Sequence, residues 1–64
     1  MKLLWNVNNT VAIAFKAIES FNIIKENEDS WYVQAWHNGT YSNVYVAETK
    51  SQCITFIDKM EEYL

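Results

Sequence analysis

Few side chains in this 64-residue chain are of a type that does covalent chemistry. His37 is the one imidazole and Cys53 the one thiol. Catalysis by either needs a partner group held against it in a site closed to water. His37 stands beside Asn38-Gly39, a turn dipeptide, where an imidazole is ordinarily solvated. Cys53 falls in the first turn of an expected C-terminal helix, a position that can lower a thiol pKa. It also falls on the apolar stripe of that helix, which reads as a small buried hydrophobe. One cysteine and one histidine do not supply the three or four protein ligands of a zinc site, and a lone cysteine closes no internal disulfide. A single glycine, Gly39, leaves no glycine-rich phosphate loop. Glu61 and Glu62 are adjacent and do not face each other on a helix. The expectation is a non-enzymatic protein with no cofactor and no metal.

Charge narrows the partners. Five lysines, no arginine and eight carboxylates give a net charge of −3. That is the wrong sign for a surface that gains affinity by releasing counterions from a phosphate backbone, so nucleic acid is a poor first partner. The acids gather at Glu26, Glu28 and Asp29 and again at Asp58, Glu61 and Glu62. They read as solvated patches, or as an acidic mimic of nucleic acid if they form one surface. The opening MKLLWNVNNT has a short apolar run broken by asparagines, which is neither the core of a signal peptide nor a membrane span. A cytoplasmic protein is therefore expected, with no membrane partner. Asn8-Asn9-Thr10 and Asn38-Gly39-Thr40 match the glycosylation pattern, but both are better read as turns.

What remains is aromatic. SWYVQAWHNGTYSNVYV, residues 30–46, holds five of the ten aromatic residues around one Asn-Gly pair. Asn-Gly tolerates the positive backbone angles of a two-residue hairpin turn, which places partners where positions sum to 77. One face then carries Trp31, Val33 and Ala35 opposite Val46, Val44 and Ser42. The other carries Tyr32, Gln34 and Trp36 opposite Tyr45, Asn43 and Tyr41. Tyrosine and tryptophan offer large contact area with a polar atom attached and are enriched at protein interfaces. The candidate partner-binding residues are therefore Tyr32, Gln34, Trp36, Tyr41, Asn43 and Tyr45. Aromatic platforms on sheets also stack single-stranded bases, which is the alternative use of the same rings. Equally, cross-strand ring pairs can serve only to stabilise the hairpin.

The elements that would position these rings follow from period and punctuation. Phe21-Asn22-Ile23-Ile24-Lys25-Glu26 reads as a strand, and Asn27-Glu28-Asp29-Ser30 as a turn. Thr49 with Gln52 forms a capping box. Cys53, Phe56, Ile57, Met60 and Leu64 then recur on one side, which predicts a helix over about 50–63 covering Trp31, Val33, Val44 and Val46. Residues 1–19 fit two patterns. As a helix over about 10–20, capped by Asn9 or Thr10, Val11, Ala14, Phe15, Ile18 and Phe21 make one stripe. As strands, Leu3, Trp5 and Val7 alternate and Val11, Ile13 and Phe15 alternate, but a three-residue loop between them would put β-branched Thr10 in a left-handed conformation.

Ile18-Glu19-Ser20-Phe21-Asn22-Ile23, Trp31-Tyr32-Val33, the Asn38-Gly39 hairpin and Thr49-Lys50-Ser51-Gln52-Cys53 together resemble a loose group of small proteins from phages and prophages of Gram-positive bacteria. The resemblance implies an antiparallel meander closed by a C-terminal helix, with the segment before Ile18 extended. The alanine-rich 12–17 segment departs from it. The resemblance implies no activity, although a protein of such origin would be expected to inhibit or redirect a host or defence protein.

The resulting expectation is a single α+β domain over residues 1–64, with an antiparallel sheet of four to five strands against one C-terminal helix. Its alternative makes residues 10–20 helical, with a sheet of three to four strands and two helices. A chain of this length has a thin core, and dense apolar packing or homodimerisation would support it. The expected function is binding another protein through the aromatic hairpin face, with homodimerisation as one version of that contact.

Overall fold

The computed structural model describes residues 2–62. Five strands and one helix follow in chain order: β1 (Leu3–Trp5), β2 (Ala12–Ala14), β3 (Ser20–Asn27), β4 (Ser30–His37), β5 (Thr40–Ala47) and α1 (Lys50–Glu61), with a single 3-10 turn at Phe15–Ala17. The class is α+β as expected, but the sheet is split. β1 and β2 form a two-stranded ribbon, and β3, β4 and β5 an antiparallel meander in that order.

The N-terminal segment takes the extended form because Asn6 builds its loop. The Asn6 Oδ1 accepts from the backbone N–H of Thr10 (2.8 Å) and Val11 (3.1 Å), while its Nδ2 donates to Thr10 Oγ1 (3.0 Å). Asn9, at φ 56°, supplies the left-handed residue, so Thr10 is spared it. Leu4 pairs with Ile13, and these two turn inward, followed by Phe15. Leu3, Trp5 and Val7, which alternate along the chain, do not form the inner side of the ribbon. These three are exposed, because the ribbon packs through the opposite parity of β1. The alternative α-helix over residues 10–20 does not form; the 3-10 turn at Phe15–Ala17 is the only helical part of that segment.

Asn38 and Gly39, at φ 51° and 77°, make the expected two-residue turn, and the pairs His37↔Thr40, Trp36↔Tyr41, Ala35↔Ser42 and Gln34↔Asn43 follow it. The register then shifts: Val33 faces Tyr45, Tyr32 faces Val46 and Trp31 faces Ala47, leaving Val44 as the extra residue of a β-bulge. Val44 is buried and Tyr45 packs beside it against the same core, so two successive side chains of β5 point inward and the alternation is reversed beyond them. Asp29 N–H donates to Asn27 Oδ1 (3.0 Å) in the expected turn between β3 and β4.

Thr49 caps α1 through both halves of the capping box. Gln52 N–H donates to Thr49 Oγ1 (3.2 Å), and Gln52 Oε1 accepts from Thr49 N–H (3.2 Å) and Glu48 N–H (3.1 Å). Cys53, Phe56, Ile57 and Met60 line the inner side as expected; Leu64 and the expected helix end at 63 lie outside the described residues. One core results, built from Leu4, Ile13, Phe15, Val33, Ala35, Val44, Ala47 and Cys53. Its sheet members all come from one face of the meander. The ribbon and α1 therefore pack on the same side, and the reverse face joins no core.

Candidate functional site

The reverse face is the candidate site, and three cross-strand rows build it. Ser20, Trp36 and Tyr41 lie nearest the Asn38-Gly39 turn, then Asn22, Gln34 and Asn43, then Ile24, Tyr32 and Val46. Tyr32, Gln34, Trp36, Tyr41 and Asn43 are brought together there, as the sequence predicted. Tyr45 is not. The bulge at Val44 sends its ring to the helix side, where it stacks on Phe56 with centroids 4.4 Å apart and planes 8° from parallel. Val46, expected under the helix, takes the place on the open face and is 45 % exposed. Ala47 fills the core position that Val46 was expected to hold. Trp31 is half-buried against the core rather than fully within it, with the Lys25 ammonium 5.6 Å from its ring centroid.

The face has an aromatic row and an apolar row separated by the amides Asn22, Gln34 and Asn43, with Glu26 at its rim. Ile24 and Tyr41 are 42 % and 49 % exposed, and Trp36 meets Tyr41 at 5.3 Å with a 45° tilt. Glu26 accepts the Tyr32 hydroxyl and also Ser30 Oγ (3.3 Å). That bond, with some desolvation and the carboxylate's charge, holds the Tyr32 pKa above its ordinary 10.0. Lys25 pairs with Trp31 on the other parity of the sheet, so the three rows carry no cation. Two buried polar atoms of the face, Trp36 Nε1 and Asn43 Oδ1, have no hydrogen-bond partner among the described residues.

The residues that could do chemistry are dispersed. His37 Nε2 lies 3.1 Å from Ser42 Oγ on the helix side, half-buried rather than solvated, and no carboxylate among the described residues joins them. Cys53 is fully buried, and burial pushes its thiol above the ordinary 9.0. The acidic clusters fall on separate elements, one at the end of β3 and the turn after it, and one at the C-terminal end of α1. No group of three or more metal-ligating side chains occurs among the described residues, and no helix among them is long and apolar enough to cross a membrane.

Sequence reasoning missed Ile24 and Val46 as members of the open face. Ile24 was legible, since it alternates with Asn22 and Glu26. Val46 was not, because its side depends on the bulge. Comparison with family models, with curated proteins and with solved structures finds no match for this chain.

Proposed function

We propose that this protein is a non-enzymatic binding module whose open sheet face takes another protein. The observation that carries the reading is a meander covered on one side only, with Ile24, Tyr41 and Val46 each more than 40 % exposed beside Tyr32 and Trp36. Exposed apolar side chains grouped on one uncovered face mark interaction sites, and tyrosine and tryptophan are the residues that carry binding energy at their centres. Glu26 at the rim favours a partner with an apolar centre and a nearby lysine or arginine. A host or defence protein redirected by a phage-encoded modulator would fit such a module.

Single-stranded nucleic acid is the weaker reading, because the face offers rings for stacking but no lysine to follow a phosphate backbone. An acidic mimic of nucleic acid is weaker still, since its two clusters stand on different elements.

The test uses Tyr41→Ala combined with Val46→Lys, two exposed positions whose change leaves the core untouched. A partner captured from cell extract by the native chain and lost from the folded double variant supports the reading. Capture unchanged by the double variant refutes it. Quenching of tryptophan fluorescence by oligonucleotides at low salt, abolished by the same variant, would replace it with the nucleic-acid reading.

A further inference from the structure

The outer side of the β1–β2 ribbon presents a second apolar surface, which the fold leaves unused. Leu4 and Ile13 point into the core, yet the strand residues flanking them do not turn polar. The pairs Leu3↔Ala14 and Trp5↔Ala12 stand on the opposite side, with Leu3 46 % and Trp5 48 % exposed. A ribbon whose outer side meets only water alternates apolar with polar residues. This one is apolar on both sides, and no charged residue occurs between Lys2 and Lys16.

The surface is also uneven in one particular way. All its bulk sits on β1, as Leu3 and Trp5, and its other half is a shelf of two alanines on β2. A ridge beside a shelf of equal length is complementary to itself. Rotating a second copy by a half-turn about an axis parallel to the strands lays its β1 over the first copy's β2. Trp5 then meets the second copy's Ala12, and Leu3 meets its Ala14, with the reciprocal contacts generated by the same rotation. A two-fold axis across the strands would instead set ridge on ridge.

We infer that the outer side of the ribbon is a homodimer interface, with Trp5 as its anchor and Ala12 and Ala14 as the surface that receives it. The occupant is a second copy because the relief matches itself and because neither copy brings a charge to the centre. The exposed parts of the ribbon's apolar residues amount to a few hundred Å² per copy, so a dimer buries less than the ~1,200 Å² at the low end of stable interfaces. The dimer is therefore weak and concentration-dependent. It leaves the open face of the meander free in both copies, so the assembly presents that face twice.

Sedimentation equilibrium of the full chain, from about 1 μM to 1 mM, reads the mass directly across the range in which so small an interface assembles. The expected result is a rise from 7.6 kDa towards twice that value. Trp5→Ser, and separately Ala12→Glu, each weaken association by about tenfold or more, as removal of an interface anchor or burial of an unpaired charge should. Ala12 is exposed at the ribbon surface, so Ala12→Glu keeps the test valid even if Trp5→Ser unfolds. A native chain that stays monomeric at 1 mM overturns the inference. So does association that survives Ala12→Glu, or that is lost instead on Tyr41→Ala with Val46→Lys, which would move the contact to the meander.

Discussion

The β-bulge at Val44 makes a prediction that a regular hairpin reverses. If it is correct, Tyr45 is a core residue and Val46 a surface residue, although the plain two-residue-turn register assigns them the other way. Tyr45→Ala removes a half-buried ring. Taking on the order of 100 Å² of ring surface out of water is worth about 2.5 kcal/mol at ~25 cal/mol/Å², as an upper figure. The offset stack on Phe56 adds about 0.5–1.5 kcal/mol. The total expected loss is about 2–4 kcal/mol, against the roughly 3–5 kcal/mol that a core of this size supplies. Tyr45→Ala should therefore be close to unfolded at 25 °C, whereas Tyr45→Phe, which keeps the ring, should be near native. Val46→Thr changes a side chain that is 45 % exposed on the far face and should cost under about 0.5 kcal/mol. Urea titration followed by tryptophan fluorescence measures both, and at a slope of about 1 kcal/mol/M the Tyr45→Ala midpoint falls by about 2 M or more. A Val46→Thr loss above about 1 kcal/mol with a Tyr45→Ala loss below it would refute the bulge and restore the regular register.

Three further outcomes follow from the helix. Thr49→Ala removes the side-chain acceptor for Gln52 N–H and should cost about 1 kcal/mol, lowering Tm by about 4–8 °C in a thermal scan, while Thr49→Ser should recover most of it. Cys53 is buried with its thiol pKa raised, so the folded state disfavours the thiolate. The sign is that stability is at its full value below the unfolded thiol pKa and declines as pH rises above it. Cys53→Ala should flatten that alkaline decline in denaturation curves taken between about pH 8 and 10. Labelling of the native thiol by a disulfide reagent at neutral pH should proceed only as fast as the chain opens, since Cys53 is fully covered.

The open face could be read from the sequence as far as local chemistry fixed it. Asn38-Gly39 determines the turn and therefore the first four pairs of the hairpin, which is enough to put Trp36 and Tyr41 side by side and Gln34 next to Asn43. Tyr32 shares their parity on β4, so five of the six candidate residues were placed by spacing alone. Tyr45 was misplaced because a bulge is a tertiary choice. An extra inward residue at Val44 is favourable only if the core has room for it and if a ring on α1, here Phe56, waits to receive the next one.

By itself, the sequence determined the elements whose signals act within a few residues: the Asn-Gly turn, the Asn27–Ser30 turn, the capping box at Thr49 and the apolar stripe of α1. Each rests on a local backbone conformation or a side-chain hydrogen bond that needs no distant partner. Tertiary structure decided which side of an element is inside. Leu3, Leu4 and Trp5 are apolar at both parities, so no pattern could choose between them; the choice fell to Leu4 because it meets Ile13 and the shared core. It also decided that the ribbon joins α1 on one side of the meander, which leaves Tyr41, Ile24 and Val46 exposed and Tyr32 and Trp36 half-buried on the other. Burial is a property of the whole packed assembly, and local periodicity reports only what each element could bury.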